Sequence, residues 1–243
     1  IPLLANIPEI YGYKGELRSF FLKKYLANPP KKDRPPMVSH YLKLADLVSG
    51  VEIKPNDMIR PQLQVSEEQK QNASHLTLSL SNPDYFYILA PGAEYGPAKQ
   101  WPAKHFSELA KKILEQDPAS NVILMGSVKD NAVCEEILKG VDKNFHSRIK
   151  ILAKVASLDQ SIAIISQARG LASNDSGLMH IAASLNIPQI AFFGSSDPKH
   201  TPPLSPFAGI LFLGLDCSPC HQRKCPLGHL NCLKTYCPGP IYS

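Results

Sequence analysis

The stretch Gly170-Leu171-Ala172-Ser173-Asn174-Asp175-Ser176-Gly177-Leu178-Met179-His180-Ile181-Ala182-Ala183-Ser184-Leu185 passes from a short apolar run into a helical one through small polar residues. Its first part reads as the end of a buried strand and its last part as a helix. The side chains between them are too small to cover the backbone, so N–H groups are left to face a ligand. A helix that starts just after a strand gathers unsatisfied donors and the positive end of its dipole, which together suit an anion. The reading is a site for a diphosphate-bearing ligand of the nucleotide-sugar type. An ordinary capped turn is the competing reading of the same residues.

Outward from this stretch the chain alternates regularly. Short apolar strands are expected over 85–89, 121–126, 149–152, 170–173 and 189–193. Between them lie helical patterns, one with Phe106, Leu109, Ala110, Ile113 and Leu114 on a single face, one over 131–139, and one opened by the capping box Ser157-Leu158-Asp159-Gln160. Strands and helices in alternation imply an α/β fold with a parallel, doubly covered sheet. Ligands of such sheets sit at the carboxyl ends of the strands. The small, polar loops 90–102, 126–130, 153–157, 174–177 and 194–203 all fall at those ends.

Before residue 76 the pattern is weaker. Pro29-Pro30 and Pro35-Pro36 interrupt it, one helix is expected over 37–47, and 62–80 reads as a polar linker. The expected division is therefore 1–75, a Rossmann-like domain over 76–235, and a tail over 236–243.

The 243 residues are 44% hydrophobic and 19% charged, ordinary for a globular protein, and no run approaches a membrane span of roughly 18 apolar residues. The chain opens Ile1-Pro2-Leu3-Leu4 without a signal peptide or initiator Met, which suggests a fragment or processed product. The net charge of +5 favours anionic partners weakly. Lys23, Lys24, Lys31, Lys32 and Arg34 form either a solvated linker face or a contact for acidic lipid or sugar at a membrane surface. Nucleic acid is not expected, because no basic surface interleaved with aromatics is evident. Of six cysteines only Cys134 lies outside the last part of the chain, a distribution unlike a secreted disulfide scaffold, so a reducing, cytosolic compartment is expected.

Several loop residues are chemical candidates. Lys99 can meet a phosphate as a point charge or be a surface lysine. Asp130 can accept from ribose hydroxyls or cap the following helix. Val155 can wall a nucleobase or pack the core, and His180, in the first turn of its helix, can donate to a phosphate oxygen. Thr201 can touch the same group, whereas Glu94 reads as a loop carboxylate and Trp101-Pro102 as the packed base of a helix. The tail Cys217-Ser218-Pro219-Cys220, Cys225 and Cys232, with His221 and His229, suggests zinc, reduced thiols closing a loop, or a disulfide.

Three separated segments carry a resemblance: 91–102 (Pro-Gly-Ala-Glu-Tyr-Gly-Pro-Ala-Lys-Gln-Trp-Pro), 173–180 (Ser-Asn-Asp-Ser-Gly-Leu-Met-His), and Cys217-Ser218-Pro219-Cys220 with Cys225-Pro226-Leu227-Gly228-His229. With Gly12-Tyr13-Lys14-Gly15-Glu16 they resemble glycosyltransferase family 9, the heptosyltransferases, over the chain to about Leu233. The resemblance implies a GT-B fold, two Rossmann-like domains across a cleft, here with a donor domain and a partial N-terminal acceptor domain. It implies inverting transfer of L-glycero-D-manno-heptose from ADP-heptose to the inner-core heptose of lipopolysaccharide, with no cofactor and no bound metal. Lys99, Ser176, Gly177 and His180 are then expected at the diphosphate, Asp175 against it or the sugar, Asp130 at the ribose and Val155 at the adenine. The family's glycine-rich N-terminal strand and loop, with its catalytic aspartate as general base, is expected to precede Ile1. The usual final helical extension is not found after Thr235. A non-catalytic ADP-sugar-binding fragment is the alternative function. A lipid A-anchored acceptor implies a cytoplasmic protein, peripheral on the inner face of the inner membrane of a Gram-negative bacterium.

Overall fold

A computed structural model describes residues 4–15, 17–30, 33–52 and 60–236. The chain divides into two compact units, residues 1–59 with 199–202, and residues 60–198 with 203–243.

In the first unit β1 (Tyr11–Tyr13) and β2 (Lys24–Leu26) pair in parallel. The helix α1 (Met37–Ser49) follows and ends at Gly50, whose φ of 73° and N–H to the Asp46 carbonyl form a left-handed cap that glycine adopts without strain. The Tyr13 ring stacks on His40 at 3.7 Å, and its hydroxyl donates to the His40 carbonyl.

The second unit is built on a six-stranded sheet. Its α2 (Glu67–Ser74) is followed by β3 (Phe86–Ala90), α3 (Ala103–Gln116), β4 (Asn121–Leu124), α4 (Asn131–Lys139), β5 (Ile149–Ile151) and α5 (Leu158–Ile165). Then come β6 (Gly170–Asn174), α6 (Gly177–Ser184), β7 (Gln189–Phe193), β8 (Ala208–Phe212) and the short α7 (Asn231–Lys234). The spatial order is β5-β4-β3-β6-β7-β8 and every pairing is parallel. The chain therefore winds outward from β3 to β5 and returns to β6, leaving a reversal between β3 and β6. A crevice opens at such a reversal because the adjoining loops leave in opposite directions.

Strand alternation loads both faces. Leu89, Val122 and Leu124 join Trp101, Phe106, Ile113, Ile137, Phe192 and Leu233 on the α3–α4 side. Ile88, Ile123, Met125 and Leu171 join Ile164, Ile165 and Ala182 on the α5–α6 side. Trp101 stacks on Phe192 at 4.0 Å with Phe106 edge-on to both, so the loop after β3 is anchored by a fully buried aromatic cluster. Burying each such side chain contributes roughly 1.5–3 kcal/mol.

The expected strands are present within a few residues at each end. Several elements were not expected, among them β1, β2, β8 and α2. β8 lies at the sheet edge and is partly exposed along its length, although its sequence, Ala208-Gly209-Ile210-Leu211-Phe212, is an apolar run. β1 and β2 are three residues each, too short for a period to show. The segment taken as a polar linker contains α2, whose capping box Ser66–Gln69 is complete. Only Ala73 in that helix is buried, with Leu76 and Leu80 beyond it, and these join the core cluster formed by α5. That packing is why the sheet unit begins at Arg60 rather than near residue 76.

Candidate functional site

A cavity of about 440 Å³ opens over the carboxyl ends of β3, β4, β5 and β6. Gly92, Ala93, Glu94 and Tyr95 bound it after β3, Gly126, Ser127 and Asp130 after β4, and Asp175, Ser176 and Gly177 after β6. Its volume falls within the range of roughly 300–1,000 Å³ usual for small-molecule sites. Its lining combines the apolar side chains of Ala156, Leu158, Leu178 and Ile181 with the start of α6. The two features suit a flat base and an anionic group.

The start of α6 has the features of an anion site. Ser176 is its N-cap in extended conformation and makes no side-chain cap hydrogen bond, and the first turn carries no acidic residue. A Cβ added at Gly177 would meet nothing within 4 Å, so the helix start faces open space. The N-terminal N–H groups and the helix dipole thus point where a phosphate can approach.

Asp175 precedes the cap and is buried. Its Oδ2 accepts from Lys99 Nζ at 2.5 Å, with the lysine side chain 16% and the aspartate side chain 5% exposed. The ammonium also lies 5.0 Å from the Tyr95 ring centroid. Asn174, one residue earlier, holds the loop from β3 in place. Its Oδ1 accepts from the Trp101 N–H at 2.9 Å, and its Nδ2 donates to the Pro91 carbonyl at 2.7 Å. Buried at the end of β6, Asn174 thus ties both ends of the loop after β3 to the strand that carries the site.

Asp130 lines the cavity and is committed to its own turn. Its Oδ2 accepts from the Ser127 N–H at 2.8 Å and the Ser127 hydroxyl at 2.7 Å. A Cβ at Gly92 would lie 2.5 Å from this carboxylate, and one at Gly126 would lie 2.8 Å from the Asp130 Cβ. Both glycines are required by the close approach of Asp130 rather than by their own backbone angles. The carboxylate is therefore a structural member of the wall, whatever it offers a ribose.

Two other expected residues stand off the wall. Val155 is 54% exposed in the turn after β5, where its N–H and that of Ala156 both return to the Leu152 carbonyl, and Ala156 takes the place at the cavity. His180 is one turn into α6, exposed at the surface and not among the lining residues. Surrounding protein atoms push its imidazole below the ordinary histidine pKa, with Lys99 acting in the same sense and Asp175 opposing. Thr201 falls in the segment that belongs to the first unit. On the rim, the Lys129 ammonium donates to exposed Glu94 at 2.5 Å.

The cysteine-bearing segment lies beside the Lys99 loop. Tyr95 donates to the His221 carbonyl at 2.8 Å and the Ala98 N–H donates to the Arg223 carbonyl at 3.1 Å. Gly96 has φ of 145°, and an added Cβ would meet the Arg223 carbonyl oxygen at 2.6 Å. Cys217, Cys220, Cys225 and Cys232 are free thiols, while Cys237 lies outside the described residues. Backbone N–H groups, that of Leu230 foremost, hold the Cys225 thiol below its ordinary pKa. Burial pushes Cys232 up, reinforced by the neighbouring sulfurs of Cys217, Cys225 and Cys220. Among the described residues no three His, Cys, Asp or Glu side chains are already drawn together to hold a metal ion. No helix among them is long and apolar enough to cross a membrane.

Comparison with known proteins places this geometry. Lipopolysaccharide heptosyltransferase 2 of Escherichia coli K12 is 38% identical over 216 residues, which is 88% of this chain and 61% of that protein. Lipooligosaccharide heptosyltransferase 2 of Haemophilus influenzae Rd is 38% identical over 220 residues, covering 88% and 62%. The solved structure of E. coli ADP-heptose LPS heptosyltransferase II matches with a TM-score of 0.75 at 39% identity, covering 87% of this chain and 64% of that one. The chain thus spans about three fifths of the length of these relatives. Residues 1–231 match the family model for glycosyltransferase family 9 (heptosyltransferase). With its parallel α/β sheet and strand-end cavity, the chain belongs to glycosyltransferase family 9 and has the α/β fold of its GT-B enzymes.

Proposed function

We propose that the cavity binds ADP-heptose and that the chain carries the donor half of heptosyl transfer to the inner-core heptose of lipopolysaccharide. The observation that carries this reading is a cavity at the sheet reversal lined by apolar side chains and by an uncapped helix start, with Lys99 bonded to Asp175 just before that start. The adenine lies against Ala156, Leu158, Leu178 and Ile181. The diphosphate meets the N–H groups at Ser176 and Gly177, with Lys99 beside it. Asp175 positions that ammonium and faces the sugar, and Asp130 shapes the ribose end.

As the glycosidic bond breaks, negative charge grows on the departing ADP. The fixed donors at the start of α6, with Lys99 held nearby on Asp175, stabilise that charge. This reading gives the transfer step no cofactor and no bound metal, because Lys99 and the helix start supply the positive potential. The group that takes the proton from the attacking hydroxyl belongs to the acceptor side. A lipid A-anchored acceptor places the protein peripherally on the inner face of the inner membrane, in the cytoplasm.

The test has two parts. Calorimetry with ADP, UDP and GDP should show saturable binding with ADP preferred, and equal affinity for all three sinks the assignment of the apolar wall. Incubation with ADP-heptose and a monoheptosylated acceptor then reads transfer. ADP binding without turnover leaves the donor site standing and makes this chain an ADP-sugar-binding fragment.

A further inference from the structure

The segment 217–232 is unused by the donor site, and it holds the densest group of thiols in the chain. Cys217, Cys220, Cys225 and Cys232 all line one small cavity of about 10 Å³, together with His229 and Ser195. That space is about one water-sized sphere. Ser195 is 1% exposed and its Oγ has no hydrogen-bond partner, so the cavity wall carries a buried polar group with nothing to satisfy it.

The backbone around the thiols is arranged for sulfur. The N–H groups of Leu227, Gly228, His229 and Leu230 are turned on Cys225 Sγ. The run Cys225-Pro226-Leu227-Gly228 makes this possible through Gly228, whose φ is 72°, and Leu230, whose φ is 55°. Two departures into the left-handed region within three residues, either side of His229, fold the chain around one sulfur. Amides converging on a sulfur favour a metal-bound thiolate, because they disperse its charge. Cys217-Ser218-Pro219-Cys220 supplies a second pair at the spacing common in zinc sites.

We propose that Cys217, Cys220, Cys225 and Cys232 form a tetrathiolate site for one structural Zn²⁺ ion. The sulfurs as they stand do not close on an ion. Each cysteine has three staggered χ1 wells, so binding selects the rotamers that turn inward. The step is a ligand exchange in which Zn²⁺ replaces the four thiol protons, giving a tetrahedral Zn(S-Cys)₄ unit and releasing the protons to solvent. Four thiolates around so small a space repel one another, and the cation removes that repulsion. A site of this kind has no open coordination position and therefore no part in transfer.

Its consequence lies in the neighbouring loop. Arg223 and His221 sit between the paired cysteines and hold Ala98 and Tyr95 through their carbonyls. An ion that fixes 217–232 also fixes the segment that presents Lys99. The metal site stands or falls separately from the identity of the donor.

The experiment is a Co²⁺ titration of the reduced, chelator-treated 243-residue chain, followed by visible absorption and then by Zn²⁺ displacement. The expected result is one equivalent bound, with intense ligand-field bands of tetrahedral cobalt, thiolate-to-metal charge transfer, and loss of both on adding Zn²⁺. Cys225→Ser and Cys217→Ser should each weaken Co²⁺ binding by about 100-fold or more, since even outer-sphere partners are worth about 10–100-fold. Cys134→Ala, whose thiol is buried beneath α4, should leave the stoichiometry at one. No saturable binding by the fully reduced wild-type chain, or a spectrum of octahedral cobalt without charge transfer, overturns the proposal. The wild-type titration decides the matter even where a serine variant fails to fold.

Discussion

Replacing Lys99 by Met and Asp175 by Asn, singly and together, tests whether the buried pair is a coupled unit. At 2.5 Å and an effective dielectric of about 20 the attraction is about 6–7 kcal/mol. Removing both charges from water costs several kcal/mol per ion, so the net worth of the pair is far smaller than that figure. The asymmetry on deletion is what can be measured. Lys99→Met leaves the 5%-exposed carboxylate side chain without its ammonium, and about 3 kcal/mol should be lost, the lower end for buried pairs. Asp175→Asn keeps an acceptor for the less buried lysine and should cost about 2 kcal/mol. The double variant should lose little more than the worse single, giving a coupling of about 2 kcal/mol. Urea unfolding followed by Trp101 fluorescence is suited to the measurement, because it is the chain's single tryptophan and is buried at the base of this site. Additive single effects, with coupling under about 0.5 kcal/mol, refute the view that the two residues act as a pair.

Lys99→Met should also weaken ADP binding by about 1–3 kcal/mol, the loss of one charge-assisted contact, and unchanged affinity by calorimetry removes Lys99 from the site. Gly96→Ala should destabilise the sheet unit by about 1–3 kcal/mol in the same urea assay, from its left-handed φ and the clash with the Arg223 carbonyl. His180 should lower stability on the acid side. Its folded pKa lies below the free value of 6.5, so the unfolded chain takes the proton first and the stabilisation, full above that value, is lost as pH falls below it. His180→Gln should flatten the decline of melting temperature below pH 6.5, and an identical pH profile refutes the shift.

The central strands and the small, polar loops at their carboxyl ends were legible because both depend on period and residue size. Buried parallel strands such as 86–90 and 189–193 are continuous apolar runs, and the loops at their carboxyl ends are small and polar. β8 escaped although Ile210-Leu211-Phe212 is apolar, because Gly209 weakens the strand pattern and the run follows the Pro-rich loop 198–206 rather than a helix. α2 escaped because one buried alanine in eight residues gives no stripe, although Ser66 and Gln69 announced its start. Among site residues, Lys99, Asp175, Ser176 and Gly177 were placed by loop position alone. Val155, expected at the adenine, is exposed while its neighbour Ala156 lines the cavity, because a turn, unlike a strand, gives no rule for which side chain faces in. Asn174 was legible only as part of a motif; its bonds to Trp101 and Pro91 join segments more than 70 positions apart, beyond any local pattern.

The pairing of Lys99 with Asp175 also fixes the sign of a less obvious experiment. Without ligand the lysine's charge is largely neutralised by its partner, so the positive potential at the cavity comes chiefly from the start of α6. A diphosphate must share the ammonium with a carboxylate that repels it. Asp175→Asn removes that repulsion and should tighten ADP binding by severalfold, about 1 kcal/mol, while lowering stability as described. ADP-heptose should gain less than ADP if the carboxylate also accepts from sugar hydroxyls, since that contact is lost in the same step. Both affinities can be read by calorimetry at one salt concentration, which matters because screening would blur the comparison. If Asp175→Asn instead weakens ADP as much as Lys99→Met does, the carboxylate is needed to aim the lysine, and orientation outweighs charge at this site.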